Sequence, residues 1–171
     1  MSASEARVSG EKPSWDVLAR AAGLNASEDA PTTIRKFVAF RLEGDPYAVP
    51  IERVREIVRI RSITAVPRVP REVRGVISLR GEIVQVVDLR RRLGMCEREP
   101  TRSSRIIVLH GEDQDVAGVL VDEVTDVLRV EEAAVQAPPG GASEFVSSLC
   151  DRDGSFVSVM SLERVMNLDE A

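Results

Sequence analysis

The sequence predicts an all-β protein with only short helices, and three observations support this fold class. From residue 35 onward, short runs of apolar and β-branched residues recur, separated by glycine or proline. Long helical periodicities do not alternate with these runs, as they would in a protein built on a parallel sheet. Segments with helical spacing are confined to a few short pieces. Many short strands joined by Gly and Pro turns are typical of antiparallel barrels or a sandwich.

The first strands are predicted between residues 35 and 61. The run RKFVAFRLEG ends in a Gly-Asp-Pro turn, and PYAVPI follows it. Pro50, at a possible first helical position, allows one turn of helix before the next strand. That strand is RVREIVRIRSI, in which alternating arginines predict a basic outer face. These arginines are Arg53, Arg55, Arg59 and Arg61.

A β-hairpin is predicted after the proline-punctuated connection AVPRVPREVRG. The runs GVISL and EIVQVVDL each have the length of a strand, and Arg80 and Gly81 lie between them. Because Gly81 adopts a positive φ at little cost, a tight turn at residues 79–82 is the simplest interpretation. Arg80 then lies at an exposed tip, where composition alone gives it no role beyond keeping the hairpin hydrated.

The rest of the chain continues with short strands and two small helices. Asp88 is placed to cap a helix in DLRRRLG that Gly94 ends, and Ser161 is placed to cap another in SLERVMNL. The second helix has one apolar face, formed by Leu162, Val165 and Met166. VQAPPGGASEF is predicted to be a surface loop. The remaining strands are predicted in RIIVLHG, VAGVLVDEV, DVLRV and SFVSVMSL.

The length of 171 residues suits one globular domain with a flexible end. Residues 1–34 are rich in Ser, Ala and charge, so we expect an N-terminal arm. Within the arm, Ser14 could cap a short helix that carries Trp15 and ends at Gly23, and that would lie on this domain or in a partner's groove. Residues 35–169 are predicted to form the domain.

Charge is distributed unevenly along the chain, although the formal net charge is only −5. Residues 35–105 contain 17 Arg or Lys and nine Asp or Glu, whereas residues 106–171 contain three and 14. The two segments either neutralise each other inside the fold or form oppositely charged faces that dock other proteins. A barrel that binds nucleic acid through its basic half is a further alternative. Its weakness is that aromatic residues, on which bases stack, make up only 4% of the chain.

No catalytic, metal-binding or cofactor-binding pattern is recognisable in the sequence. His110 is the single histidine, and Cys96 and Cys150 lie far apart, so neither a zinc cluster nor a His-activated nucleophile is predicted. The acidic residues of VDEVTDV lack the spacing of a calcium loop and are explained by solvation. An enzyme is therefore the least favoured class. Without a signal peptide or a long apolar run, we expect a cytoplasmic protein that needs no cofactor.

The segment GVISLRGEIVQVVDLRRRLG, residues 75–94, resembles the signature of the bacterial chemotaxis coupling protein family, CheW. The similarity extends from FVAFRLEGDPYAVPIERVREI through GVLVDEVTDVLRV to LERVMNL, roughly residues 35 to 169. Ser78 stands where the family usually has Asn, and Gln85 where it usually has Pro. The matching residues are Gly75, Val76, Leu79, Arg80, Gly81, Val86, Asp88, Leu89, Arg90, Leu93 and Gly94.

This resemblance implies two packed five-stranded SH3-like barrels and a scaffold rather than an enzyme. Such a scaffold couples the cytoplasmic tips of chemoreceptors (methyl-accepting proteins) to the regulatory domain of the histidine kinase CheA. The opposite charges of the two segments suggest in addition head-to-tail contacts with other CheW-like units within an array. The departures at Ser78 and Gln85 leave open a specialised parallel pathway.

The resemblance also assigns candidate partner-binding residues: Val54, Glu56, Ile57, Arg80 and Val86. Arg80 is expected to bind a carboxylate or carbonyl bidentately at the groove between the barrels, and Val86 to line that groove. Simple core packing is an equally good explanation of Val54, Ile57 and Val86.

Overall fold

The computed structural model describes residues 31–111 and 113–169, in which we distinguish eleven strands and two short α-helices. The predicted arm helix from Ser14 to Gly23 lies outside the described residues. Short 3-10 turns span Ile51–Arg53 and Glu132–Ala134. The strands are β1 Ile34–Leu42, β2 Asp45–Pro50, β3 Val54–Arg59, β4 Val73–Leu79, β5 Glu82–Asp88, β6 Arg105–His110, β7 Val116–Val121, β8 Glu123–Glu131, β9 Val135–Gln136, β10 Val146–Arg152 and β11 Ser155–Met160; the helices are α1 Leu89–Arg92 and α2 Leu162–Met166.

The strands form two sheets, each of which curls into a barrel. The first barrel has the order β8-β1-β2-β11-β10-β9, and the second has the order β3-β6-β7-β5-β4. The second barrel closes where Thr64 and Val76 exchange two backbone hydrogen bonds of 2.9 Å. The first closes because β8 leads into β9, which pairs with β10. The predicted pair of small barrels is confirmed, with β9 as an additional two-residue strand in the first.

The two barrels repeat one strand arrangement. In each, a hairpin strand pairs in parallel with a strand from the other side of the barrel: β11 with β2 in the first, and β5 with β7 in the second. In both barrels the remaining strand neighbours are antiparallel. The hairpins β4–β5 and β10–β11 therefore occupy equivalent positions in the two barrels.

Three apolar cores hold the domain together, one inside each barrel and one between the barrels. Strand β6 contributes to two of them: Ile106 and Val108 face the interior of the second barrel, whereas Ile107 and Leu109 face the first barrel. All four side chains are at most 1% exposed. Burial on both faces explains why RIIVLH is a continuous apolar run and does not alternate with polar residues.

The tight hairpins share one turn geometry. Each has a non-glycine residue followed by glycine, and both residues have positive φ: 51° and 84° at Arg80 and Gly81, and 54° and 88° at Glu43 and Gly44. Two residues with positive φ give a turn whose twist matches that of the strands. The predicted Gly-Asp-Pro turn is therefore wrong by one residue, because Asp45 already pairs with Leu42 at the start of β2.

Arg90 on α1 links the two barrels through ion pairs with acidic side chains. Its side chain is 8% exposed and binds both carboxylate oxygens of Asp122, with Nε at 2.7 Å from Oδ1. Its Nη1 also donates to Glu43, in the β1–β2 turn, at 3.1 Å. The prediction that solvation explains the acidic residues of VDEVTDV is wrong for Asp122. The guanidinium anchors this carboxylate at the junction between β7 and β8.

Candidate protein-docking site

The candidate site lies at one end of the second barrel and is built by the β4–β5 hairpin tip and the start of β3. Leu79 pairs with Glu82, so Arg80 and Gly81 form a two-residue turn, as predicted. The Arg80 side chain is 75% exposed. Because the strands are paired up to Leu79 and Glu82, the backbone of Arg80 is held at the tip of the hairpin.

Two ion pairs connect this hairpin to β3. Arg55 Nη1 lies 2.7 Å from Glu82 Oε2, and Arg80 Nη2 lies 3.4 Å from Glu56 Oε2. A third link is the bond from Arg61 Nη1 to the Ser78 carbonyl, at 3.1 Å. Because β3 and β4 are the two strands that meet where this barrel closes, these contacts hold the closure. Charged pairs across strands stabilise a sheet by about 0.2–1 kcal/mol each.

Arg80 differs from its expected arrangement in two respects. Its carboxylate partner in the structure is Glu56 of the same chain, reached by one nitrogen at 3.4 Å instead of a bidentate contact. Arg80 also does not line the groove described below. Most of its planar donor fork therefore remains available to solvent or to another molecule.

Strand β3 presents its apolar residues irregularly because its pairing with β6 shifts register between Val54 and Glu56. Val54 is half-buried and packs against the core between the barrels. Ile57 is 40% exposed, whereas the next residue, Val58, is buried inside the second barrel. Of these two predicted contact residues, only Ile57 offers a large apolar surface to a partner.

Val86 is not a surface residue. It is 0% exposed and packs inside the second barrel with residues such as Val84 and Ile106. Alternation along β5 turns Val84 and Val86 inward and Gln85 outward, since successive side chains of a strand point to opposite faces. The expectation that Val86 lines a partner groove is therefore wrong, and its alternative role in core packing is correct.

Ile83 is the residue that sequence reasoning missed. It is 77% exposed, more than any other large apolar side chain in the described residues. It is the second residue of β5, directly after Glu82. The signal was present in EIVQVV, because Ile83 is out of phase with the inward-facing Val84 and Val86. A single exposed isoleucine is common on protein surfaces, but one that adjoins other apolar side chains within a polar rim marks a protein-docking surface.

Ile83 also forms one wall of a groove between β5 and α2, with a volume of about 1080 Å³. Leu162 and Met166 of α2 form apolar parts of the opposite wall. Charged side chains surround this apolar part, namely Arg53, Glu82, Asp113, Asp115, Glu163 and Asp169. An apolar centre with a charged rim is the usual composition of a protein-protein contact.

The polar side chains of this groove are those of a charged rim around an apolar centre. Among the residues that the structure describes, no group of three or more His, Cys, Asp or Glu could hold a metal ion. Over the same part of the chain, no helix is long and apolar enough to cross a membrane. The groove can offer shape, apolar area and charge.

Comparison with known proteins supports this description. The CheW-like domain model matches residues 36–170. The chain is 35% identical over 140 residues to the chemotaxis protein CheW of Bacillus subtilis (strain 168), covering 81% of this chain and 85% of that protein. It is also 35% identical over 150 residues to the chemotaxis protein CheW of Rhizobium meliloti (strain 1021), covering 85% and 96%.

A solved structure agrees with the fold. The scaffolding protein TtCheW from Thermoanaerobacter tengcongensis matches with a TM-score of 0.76 and 30% identity, covering 81% of this chain and 97% of that one. Two barrels, the hairpin signature of residues 75–94 and these similarities lead to one conclusion. The chain belongs to the CheW-like domain family.

Proposed function

We propose that this chain is a non-enzymatic chemotaxis adaptor, which couples chemoreceptor tips to the regulatory domain of the histidine kinase CheA and so controls kinase activity. It acts in the cytoplasm, at membrane-associated receptor arrays. The observation that carries this proposal is the exposed Ile83 in an apolar groove with a charged rim, on the same hairpin as the exposed Arg80. Membership of the CheW-like domain family supports the choice of partners.

The groove suits a helical partner such as the tip of a receptor coiled coil. An α-helix with its side chains is about 10–12 Å wide, and one that places an apolar stripe between Ile83 and Met166 would bury both residues. The charged rim would then select the register of the partner, because a misplaced charge is repelled. Apolar contact provides the affinity and charge provides the specificity.

Arg80 is suited to exchange its internal partner for an external one. Its pair with Glu56 is long and exposed on the arginine side, with 75% of the Arg80 side chain accessible. Exposed ion pairs contribute only about 0.2–1 kcal/mol. A partner carboxylate that binds the guanidinium bidentately would compensate for the loss of Glu56. Glu56, whose side chain is 21% exposed, is then free to meet a donor on the partner.

The other assignments have less support. Binding of nucleic acid by the basic half has little support, since Phe37 and Phe40, two of its three aromatic residues, are fully buried and cannot stack on bases. Contacts with other CheW-like units in an array remain part of the proposal. The Arg90–Asp122 pair joins the basic segment to the acidic segment, whereas the other ion pairs named above lie within one segment. Most charges of the two segments therefore do not neutralise each other inside the fold and can attract a second molecule.

Exchanging the charges of Arg80 and Glu56 tests whether a partner binds Arg80 directly. We compare Arg80→Glu, Glu56→Arg and the double exchange in a kinase assay with receptor-containing membranes and CheA. If the pair only closes the barrel, the double exchange restores both the melting temperature and kinase activation. If a partner binds these side chains, the double exchange restores the melting temperature and leaves activation low.

The matched control is Arg129→Glu, since Arg129 is exposed on β8 and forms no ion pair among the described residues. It changes the net charge by the same amount as Arg80→Glu. We expect it to activate CheA like the wild type. Equal loss of activation in the control and in Arg80→Glu would show that net charge, and not this site, determines coupling. Activation by all variants would refute the proposed site.

A further inference from the structure

A second surface on the second barrel is a basic cleft with no acidic side chain in its lining. Its volume is about 590 Å³, and it lies at the opposite end of β3 from the docking site. Arg59 is three residues from Glu56, about 10 Å along the strand. The cleft is lined by Arg59, Ile60, Pro100, Thr101, Arg102 and Arg105. We propose that this cleft binds an acidic segment of a partner protein.

Two of its arginines face each other without a counter-ion. Arg59 on β3 and Arg105 on β6 are directly opposed in the antiparallel ladder. Like charges in this position destabilise a sheet. Arg59 and Arg102 are exposed and form no ion pair with any residue of the described ranges, and Arg105 meets no carboxylate there either. A carboxylate from another molecule would relieve this repulsion.

Arg105 is held in position by neutral groups. Its Nη1 donates to the carbonyls of Arg102 and Ser104, both at 2.8 Å. These bonds use the two protons of Nη1 and leave the Nε and Nη2 protons, which form the edge that binds a carboxylate bidentately. A guanidinium that is already fixed loses little freedom when it binds, so its position favours recognition of an anion.

The loop beside Arg105 is also fixed. Ser104 is 5% exposed; its hydroxyl accepts from Thr101 N at 2.8 Å, and its N–H donates to the Thr101 carbonyl at 3.1 Å. Thr101 Oγ1 in turn accepts from Ser103 N at 3.2 Å. This closed turn places Arg102 beside the two strand arginines. The three cations therefore share one concave surface that the backbone defines.

The chemistry of the cleft favours a peptide over the other common anions. Stacking on nucleic-acid bases needs aromatic side chains, and none lines the cleft. Anionic lipid surfaces are bound by clusters of about four to eight basic residues, and the net charge of −5 opposes approach to such a surface. Ile60 and Pro100 add apolar contact for the side chains between the carboxylates of a peptide.

The test uses a fluorescent hexaglutamate peptide as the probe, with hexaglutamine as its uncharged counterpart. We expect the full chain to bind hexaglutamate and to lose it as ionic strength rises. Arg59→Gln combined with Arg102→Gln should weaken binding about tenfold, because two exposed charge contacts are removed. The matched control, Arg68→Gln with Arg129→Gln, removes two exposed cations elsewhere and should bind like the wild type.

Three results would overturn the proposal. They are equal weakening in the control pair, binding of hexaglutamine as tight as that of hexaglutamate, and binding of phosphatidylserine vesicles without binding of hexaglutamate. The cleft variants should also have a melting temperature at or slightly above that of the wild type. Among the described residues the Arg59 and Arg102 side chains have no partner to lose, and Arg59→Gln removes the repulsion from Arg105. The docking-site variant Glu56→Arg should still bind hexaglutamate, so that failure of the cleft and failure of the adaptor function are distinguishable.

Discussion

Replacing Asp122 by Asn should destabilise the domain because it removes the ion pair with Arg90 that links the two barrels. The amide keeps the shape of the carboxylate, but it removes the charge that faces Arg90 and one of the two acceptors. Arg90 is 6% exposed and cannot turn to water without moving α1. The substitution therefore leaves a buried cation with less compensation.

The expected magnitude follows from burial. Breaking a fully buried ion pair costs about 3–5 kcal/mol. Here the Asp122 side chain is 30% exposed, and Arg90 retains Glu43 and the Cys96 carbonyl, at 3.1 and 3.0 Å. We therefore expect a loss of about 2 kcal/mol in the free energy of unfolding. For a chain of this size, that loss lowers the melting temperature by about 4–8 °C.

Urea unfolding at pH 7 measures this loss, and Asp126→Asn is the matched control. Asp126 lies in the same acidic stretch and pairs with Arg152 at 2.7 Å, but both side chains are at least 40% exposed. Its substitution should cost about 0.5 kcal/mol. Equal costs for the two substitutions would refute the reasoning, because they would show that burial of Arg90 adds nothing to the pair.

The pH dependence gives a second test of the same pair. Burial alone would raise the pKa of Asp122, but hydrogen bonds from Arg90 and from the Glu43 N–H outweigh it and hold the pKa below the ordinary value of 3.8. A depressed carboxyl pKa contributes stability above the unfolded pKa, and this stability is lost as pH falls through the folded pKa. The difference between wild type and Asp122→Asn should therefore be constant near neutral pH and shrink below about pH 4.

Two further predictions compare residues that lie close together. Val86→Ala should cost about 2 kcal/mol in urea unfolding because Val86 is fully buried, whereas Ile83→Ala should change stability by less than about 0.5 kcal/mol because Ile83 is 77% exposed; equal costs would contradict the placement of β5. Gly75→Ala should lower the melting temperature more than Gly81→Ala, since a Cβ at Gly75 would lie 2.2 Å from the Thr64 carbonyl oxygen while the space at Gly81 is open. A larger effect at Gly81 would show that φ strain, which both positions share, outweighs the clash.

The local elements followed from the sequence because each depends on residues near in the chain. Gly81 between two strand-length runs predicts the hairpin, and the structure has it with the expected turn residues. Asp88 caps α1 by accepting bonds from Arg90 N and Arg91 N, as predicted. The predicted end of this helix at Gly94 agrees with the positive φ of 72° at Gly94, which a continuing helix does not have. Capping and tight turns use contacts only a few residues long, so spacing locates them in the chain. Spacing alone does not fix the hydrogen bond, since Ser161 precedes α2 as predicted but forms no side-chain cap bond.

Exposure of individual site residues required the tertiary structure. Val86 and Ile83 are both apolar residues of one short strand, and the closed barrel buries Val86 and leaves Ile83 exposed. The register shift in β3 that leaves Ile57 at the surface arises in its pairing with β6, almost 50 residues later. Likewise, the partner of Arg90 lies 32 residues away.

The sequence by itself therefore determined the all-β class, the turn at Arg80 and Gly81, the cap of α1 and, through the resemblance of residues 75–94, the family. The tertiary structure decided which face of each strand is covered, which charges are neutralised and which remain free. The physical reason is that strand and turn formation are local, whereas burial and ion pairing depend on neighbours that only the closure of the barrels brings together.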